Sequence, residues 1–161
     1  MNLEKFTNKS KGLLSQAQVK AATSNHQYVL PLHILKTLLD EEEPVIINII
    51  TTLEVDFSKL KSLAQEEFNK VVTVSNVQQV YVGSDLVKVL DKAQSLAKIN
   101  NDNYITIERI FEALAEDATC LKILRGGGVV VNKISSSIAN LRKGKTADSE
   151  TAEDNFDALK K

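Results

Sequence analysis

Apolar residues recur at helical spacing in two stretches of the chain that lie 76 positions apart. In the first stretch Leu14, Ala17 and Ala21 are three or four residues apart, so they fall on one face of a helix. The second stretch repeats this spacing at Leu90, Ala93 and Ala97. The pattern predicts two equivalent helices, whose small side chains form a core seam where helices approach closely.

The sequence is duplicated around these helices. Ser15–Tyr28 aligns with Asp91–Tyr104, and the identical pairs are Ala17/Ala93, Gln18/Gln94, Ala21/Ala97, Asn25/Asn101 and Tyr28/Tyr104. A repeat dictates architecture, because each copy is one structural unit. A duplicated helical unit without a catalytic set of residues is typical of a recognition module.

Further helices are predicted at matching positions of both copies. The second helix begins at Pro31 in one copy and at Ile107 in the other, where Thr106 is a good N-cap. A third helix contains Ile46–Ile50 or Cys120–Leu124. The fourth begins near Asp56 with apolar positions Phe57, Leu60, Leu63 and Phe68, and its counterpart carries Ile134, Ile138 and Leu141 at an offset of about 74.

We therefore predict an all-α fold of about eight helices, made of two pseudo-repeats of a four-helix unit. The units span about 4–70 and 83–143. The alternating residues of 71–82 favour an extended connector, with a short strand as the alternative. The small, acidic residues from 144 onward predict that 144–161 is a flexible linker toward a further domain, as expected for a chain cut at a domain boundary.

Composition narrows the class of protein. The 161 residues fit one domain, and a net charge of −1 does not favour binding to nucleic acid or to a membrane. Cys120 is the single cysteine, so no internal disulfide forms, which favours a reducing compartment. Since no secretory signal or membrane span is recognisable, we expect a cytoplasmic protein.

The motifs that suggest chemistry lack the context they need. Ala139–Thr146 fits a relaxed phosphate-binding loop, but it follows a predicted helix instead of a strand. Gly126–Gly128 is better explained as a helix end that needs positive φ. His26 and His33 have no partner at metal-ligand spacing, so a surface or packing role is expected, and Cys120 is expected to be buried and inert. We predict no catalytic residue, metal site or cofactor in this chain.

Several segments in order resemble the Clp N-terminal domain family. They are Asn2–Asn8, Gln16–Ala17, Pro31–His33, Ser84–Leu90, Asp102–Ile105 and Glu108. The segment Glu153–Lys161 resembles the piece of chain that joins such a domain to a first ATPase domain. The resemblance covers essentially the whole chain and implies an all-helical, monomeric pseudo-repeat.

Within that family the chain is most similar to the N-domain of a protein-disaggregating AAA+ chaperone. The resemblance implies a module that binds exposed apolar segments of unfolded or aggregated polypeptides and assists their entry into the pore of an ATP-driven hexamer. It further implies cooperation with the DnaK chaperone system, with ATP and Mg²⁺ bound only in ATPase domains outside this chain. The alternative is an N-domain of a Clp protease ATPase that docks a folded adaptor.

The resemblance also implies substrate-contacting residues, which fall on Thr7, Asp102 and Glu108, with Tyr104 beside them. Each of the first three has an alternative structural role: Thr7 as a helix cap, Asp102 in a turn, and Glu108 as a first-turn acid. Relatives that read phosphoarginine have an acid at this position in both repeats. Here the first repeat has Leu32, so phosphoarginine binding is not expected.

The two copies differ where the binding site is expected. His26 stands opposite Asp102, and Leu32 stands opposite Glu108. Arg109 would place a charge beside the groove that receives apolar peptide. We therefore expect the shared residues to form the scaffold and the differing residues to form the working surface.

Overall fold

The computed structural model describes residues 2–158, apart from the side chains of Asn155, Asp157 and Ala158. The first unit contains α1 (Asn8–Thr23), β1 (Tyr28–Val29), α2 (Pro31–Asp40), α3 (Pro44–Thr52) and α4 (Phe57–Asn69). The second contains β2 (Tyr81–Val82), α5 (Ser84–Ile99), α6 (Ile107–Ala113), α7 (Ala118–Gly126) and α8 (Ile134–Arg142), with 3₁₀ turns at Leu114–Glu116 and Val131–Lys133. A further helix, α9 (Ala152–Ala158), follows the second unit. The predicted all-α double repeat is confirmed.

The helix starts agree with the caps expected from the sequence. Thr106 accepts a hydrogen bond from the Arg109 N–H group at 3.4 Å, at the start of α6. Asp56 accepts one from Ser58 at 3.0 Å, at the start of α4. Each cap satisfies an N–H group that has no partner inside the helix.

The four repeated alanines lie in the core, with exposed fractions of 0–3% at Ala17, Ala21, Ala93 and Ala97. In α1 the large core side chain is Leu13, whereas Leu14 is only partly buried. The helix α2 is the most enclosed element, because every residue from Pro31 to Leu39 is buried. It packs against both α1 and α4 and joins the first unit to the second.

Both long first helices end on the same left-handed residue. Asn25 and Asn101 have φ of 59° and 63°, a conformation that asparagine adopts more readily than most residues. The N–H group of the next residue then donates to the carbonyl of Ala21 at 2.9 Å, or of Ala97 at 2.8 Å. This closing turn explains why asparagine occurs at the same place in both repeats.

The two units are joined by reciprocal backbone pairing. Parallel strands β1 and β2 pair Val29 with Val82, and an isolated parallel bridge pairs Ile105 with Phe6. These two pairs are related by the 76-residue offset of the repeat. In each unit, the residues that precede the first helix therefore pair with the turn that follows the first helix of the other unit.

Residues 71–80 of the connector form no helix or strand, and the connector ends in the short strand β2, which was held as the alternative. Its extended conformation stays a prediction. Read from the sequence, an isolated strand had no partner. The structure supplies one in β1, which is only two residues long and carries no strand pattern of its own. Because the partner lies more than 50 positions away, local alternation could not reveal it.

The C-terminal segment, defined here as residues 144–158, differs from the predicted flexible linker. Lys143 and Gly144 both have positive φ, so the chain turns back after α8. Ala147, Ala152 and Phe156 are then 0–2% exposed and pack with Tyr104. These apolar residues are sparse within an acidic stretch, which is why composition alone indicated a linker. The domain boundary at 143 stays a prediction, and residues 159–161 lie outside the described residues.

Candidate functional site

A buried ionic cluster occupies the second unit at the end of α8. Arg142 donates to both carboxylate oxygens of Asp102 at 2.8 and 2.9 Å, to Glu108 at 3.0 Å and to the Thr106 hydroxyl at 2.8 Å. Arg109 donates to Asp102 at 3.1 Å. The side chains of both arginines and both acids are at most 4% exposed. Two arginines compensate the buried charge of the two acids, which is the condition for such a cluster to be tolerated.

A second polar contact ties the N-terminus to the C-terminal segment. The Thr7 hydroxyl donates to Glu153 Oε2 at 2.6 Å, and the Ile107 N–H group donates to the same oxygen at 3.1 Å. Thr7 also caps α1 by accepting from Ser10 N–H at 3.2 Å. Burial, together with the nearby Glu108 carboxylate, raises the pKa of Glu153 above its ordinary value of 4.5.

The C-terminal segment covers the ionic cluster. Ala147 N–H donates to Asp102 Oδ1 at 3.0 Å, and the Ala147 carbonyl accepts from Tyr104 N–H at 3.1 Å. The Phe156 ring lies over the Arg142 guanidinium, 4.6 Å from centroid to carbon. Contacts of this kind combine cation–π attraction with apolar burial.

The structure brings together all four residues predicted to contact substrate. Thr7 and Glu108 are fully buried, the Asp102 side chain is 0% exposed, and Tyr104 is half-buried under the C-terminal segment. Thr7 has the capping role that the sequence offered as its alternative. The role of these residues in substrate binding stays a prediction.

Arg109 does not lie where the sequence analysis expected it. It is 4% exposed and donates to Glu112 at 2.9 Å as well as to Asp102. The expected charge beside an apolar groove is instead buried and paired, because both acids lie within reach of its guanidinium group. Glu112 lies three positions away on the same helix, whereas Asp102 lies seven positions away on the preceding turn. Spacing along the helix therefore reveals only Glu112.

In the first unit the equivalent position holds a cluster of rings. His26 Nδ1 and His33 Nε2 are 2.8 Å apart, and the Phe68 ring lies 4.9 and 5.7 Å from the two imidazole centroids. Leu30 N–H donates to His33 Nδ1 at 2.9 Å. This bond assigns the His33 proton to Nε2, which then donates to His26.

Both histidines are buried, with exposed fractions of 3% for His26 and 0% for His33. The packing role is confirmed and the surface role is wrong. Burial, the neighbouring His26 and the Lys20 charge lower the pKa of His33 from 6.5 to about 4. Within residues 2–158, no group of three or more His, Cys, Asp or Glu side chains could hold a metal ion.

Two of the depressions that are open to solvent carry apolar side chains on their walls. The first-unit cleft has a volume of about 530 Å³ and is lined by His26, Gln27, Tyr28, Leu30, Lys70, Val71, Val72 and Val74. The second-unit groove has about 320 Å³ and is lined by Phe6, Val87, Leu90 and Ile105, together with the polar residues Asn2, Lys5, Asp91 and Gln94. Residues of either depression come from distant parts of the chain, so sequence reasoning missed both; the valines of the connector were the only local signal.

The remaining motifs have structural explanations. Gly128 has φ of 97° just after α7, which confirms the helix end predicted there. The phosphate-loop match at Ala139–Thr146 begins inside α8 and not after a strand. Cys120 is fully buried, and burial raises the pKa of its thiol well above the ordinary value. Among the described residues, no helix has the length and apolar character needed to cross a membrane.

The fold and the repeat identify the class of protein. A family model described as the Clp repeat (R) N-terminal domain matches residues 5–126. Since the match covers most of the chain, the chain belongs to this family.

Relatives narrow the similarity to one branch of the family. Chaperone protein ClpB of Rickettsia conorii is 46% identical over the whole chain, which spans 19% of that relative's length. The crystal structure of the Hsp104 N-terminal domain from Candida albicans superposes with a TM-score of 0.83 at 21% identity, over 92% of this chain and 99% of that one. A complex of the ClpV N-domain with a VipB peptide gives 0.69 at 17% identity, over 92% and 94%. The chain is therefore similar to the N-terminal region of ClpB chaperones and spans about a fifth of their length.

Proposed function

We propose that this chain is the substrate-recognition module of an ATP-dependent protein-disaggregating chaperone. It binds exposed apolar segments of unfolded or aggregated polypeptides and assists their entry into a translocation pore. The proposal is supported by the similarity to ClpB over the whole chain. The structural observation that carries it is the pair of open apolar depressions, because unfolded segments present the apolar side chains that such surfaces bury.

A relative with a bound peptide supports recognition of short polypeptide segments. The ClpV N-domain, which shares this fold, has been described in complex with a VipB peptide. We extend peptide binding to this chain as part of the proposal. Since the likeness is 17% in sequence, it carries over the kind of ligand and not the contacting residues.

Thr7, Asp102, Glu108 and Tyr104 take a defined place in this proposal. With the C-terminal segment docked, the first three face protein and not solvent. We propose that they meet substrate only when this segment is displaced. The bond from Thr7 to Glu153 and the bond from Ala147 N–H to Asp102 are the contacts that a substrate would have to replace.

The proposal assigns no catalytic activity to this chain. ATP and Mg²⁺ would be bound by ATPase domains outside it, and a hexamer and the DnaK system would act through the full-length protein. We expect the isolated domain to be monomeric, without affinity for nucleic acid or membranes, and to work in the cytoplasm. These expectations follow from the family and from a net charge of −1.

The second candidate is an N-domain of a Clp protease ATPase that docks a folded adaptor. The fold alone is compatible with it, since the N-terminal domain of the caseinolytic protease associated chaperone ClpD from Arabidopsis thaliana shares this fold. We prefer the chaperone because the 46% identical relative is a ClpB. A pull-down that recovers one folded protein stoichiometrically and no denatured client would reverse this preference.

The test compares an unfolded with a folded client. Reduced carboxymethylated α-lactalbumin, which stays unfolded, is titrated into the isotope-labelled chain, and native α-lactalbumin serves as the control. We expect the unfolded form alone to bind, with a Kd in the micromolar range or weaker, about −8 kcal/mol at the strong end. Absence of binding by both forms, or equal binding of both, would contradict the proposed function.

A further inference from the structure

The two units differ in what covers the turn after their first helix. In the second unit Tyr104 is half-buried beneath Ala147, Ala152 and Phe156 of the C-terminal segment. In the first unit the equivalent tyrosine, Tyr28, is 52% exposed. One position of the repeat is therefore covered by protein in one copy and open in the other.

The backbone shows the same difference. Tyr81 N–H donates to the Gln27 carbonyl, and Gly83 N–H donates to the Val29 carbonyl, at 3.0 and 3.2 Å. Successive residues of a strand point their N–H groups to opposite edges, so Tyr28 directs its N–H group away from β2. In the second unit the equivalent N–H group of Tyr104 donates to the Ala147 carbonyl. Tyr28 thus presents the open edge that Ala147 occupies in the other unit.

The chemistry beneath the two positions also differs. The correspondences in the repeat are His26 with Asp102, His33 with Arg109, and Phe68 with Arg142. In the second unit the side chains beneath the tyrosine, here called the floor, are the charged residues Asp102, Arg109 and Arg142. The segment that covers this floor carries the carboxylate of Glu153 nearby. The first unit has neutral rings, because burial lowers the pKa of both histidines. A positively charged group entering the first-unit cleft would lose its hydration without gaining an opposite charge, because the charged residue in its lining is Lys70.

We propose that the first-unit cleft is a docking site for an extended apolar segment of an unfolded polypeptide. The segment pairs a backbone carbonyl with Tyr28 N–H, as Ala147 does with Tyr104. Its apolar side chains pack between Tyr28, Leu30 and the valines of the connector. This inference rests on the proposed function and assigns it to one of the two open depressions.

The dimensions and exposure of the cleft fit this occupant. A volume of about 530 Å³ lies within the roughly 300–1,000 Å³ that is usual for ligand pockets. Val72 on its wall is 80% exposed, and Val74 is 37% exposed. Addition of an extended segment to a strand edge gives affinity through the main chain and selects side chains through adjacent pockets. Recognition of this kind tolerates many sequences, as binding of varied unfolded clients requires.

The test uses the whole 161-residue chain with surface substitutions that leave the core intact. Val72→Lys and Tyr28→Ser alter the cleft, and Ile99→Lys is the matched control, because Ile99 is 74% exposed and does not line the cleft. Val87→Lys alters the second-unit groove, where Val87 is 40% exposed. The probe is reduced carboxymethylated α-lactalbumin, and circular dichroism verifies that each variant is folded.

We expect Val72→Lys and Tyr28→Ser to raise the Kd at least tenfold, with Ile99→Lys unchanged. If the wild type binds and only Val87→Lys weakens binding, the assignment to the cleft is overturned while the proposed function stands. If the wild type does not bind, the proposed function itself fails. Dimerisation of the free chain that Val72→Lys abolishes, measured by sedimentation, would also overturn the assignment, since a second copy would then occupy the cleft.

Amide NMR supplies an internal comparison between the two repeats. The Tyr28 amide should move downfield on addition of the unfolded protein, because it gains a carbonyl partner. The Tyr104 amide already donates to Ala147 and should not move. Perturbation at Tyr104 without perturbation at Tyr28 would place the client on the second unit and refute the proposal.

Discussion

Acidification should destabilise the protein through His33. Its Nδ1 atom accepts from Leu30 N–H, and its Nε2 atom donates to His26, so both ring nitrogens are engaged in the neutral form. A second proton must go to Nδ1, where it would face the Leu30 N–H group. The side chain is 0% exposed, so water cannot hydrate the resulting charge.

The magnitude follows from the shift in pKa from 6.5 to about 4. A histidine whose pKa is lowered by folding stabilises the protein fully above its unfolded pKa, and this contribution is lost as the pH falls toward the folded value. At about 1.4 kcal/mol per unit, the loss between about pH 7.5 and about pH 4.5 is roughly 2.5 kcal/mol.

The assay is urea unfolding followed by circular dichroism across this pH range, for the wild type and for His33→Asn. Asparagine does not titrate, and its Oδ1 atom can take the place of Nδ1 as acceptor for Leu30 N–H. Carboxylates and His26, whose pKa burial also lowers, titrate in both proteins, so the difference between their pH slopes reports on His33. We expect the wild type to lose roughly 2.5 kcal/mol more than the variant. Equal losses would refute the reasoning that the neutral form is required.

Two further predictions concern close packing and buried charge. Arg142→Met should lower the free energy of unfolding by about 3–5 kcal/mol, because Asp102 and Glu108 lose their shared partner, whereas exposed Arg125→Met should change it little. Gly127→Ala should lower the free energy of unfolding by about 1–3 kcal/mol, since the added Cβ would overlap the buried Leu60 side chain. Its control, Gly12→Ala, should raise the free energy of unfolding by up to about 1 kcal/mol, because nothing lies close to the added Cβ there. Urea unfolding checks both, and equal effects of either variant and its control would contradict them.

The candidate site was only partly predictable. Thr7, Asp102, Glu108 and Tyr104 were identified by resemblance, and the structure places them where Glu153 and Ala147 of the C-terminal segment contact the second unit. Their burial could not be foreseen, because Glu153 lies 146 positions from Thr7. The ionic partners of Asp102 were hidden for the same reason, since Arg142 is 40 positions away.

We expected the residues that differ between the copies to form the working surface, but the structure buries them. His26 and Asp102 do occupy equivalent places, but both are buried and each belongs to a different internal cluster. The difference changes what can cover each unit. A charged floor in the second unit accompanies a segment that carries Glu153, whereas the neutral floor of the first unit remains open.

The sequence by itself determined the repeat, the helices and their starts, because these depend on contacts within one or two turns. Asn25 and Asn101 show this, since a left-handed residue at a helix end is a local requirement. Only the tertiary structure decided which strands pair, which charges are buried and where the C-terminal segment lies. Those outcomes depend on side chains brought together from distant positions. Their burial leaves no regular spacing in the sequence from which it could be predicted.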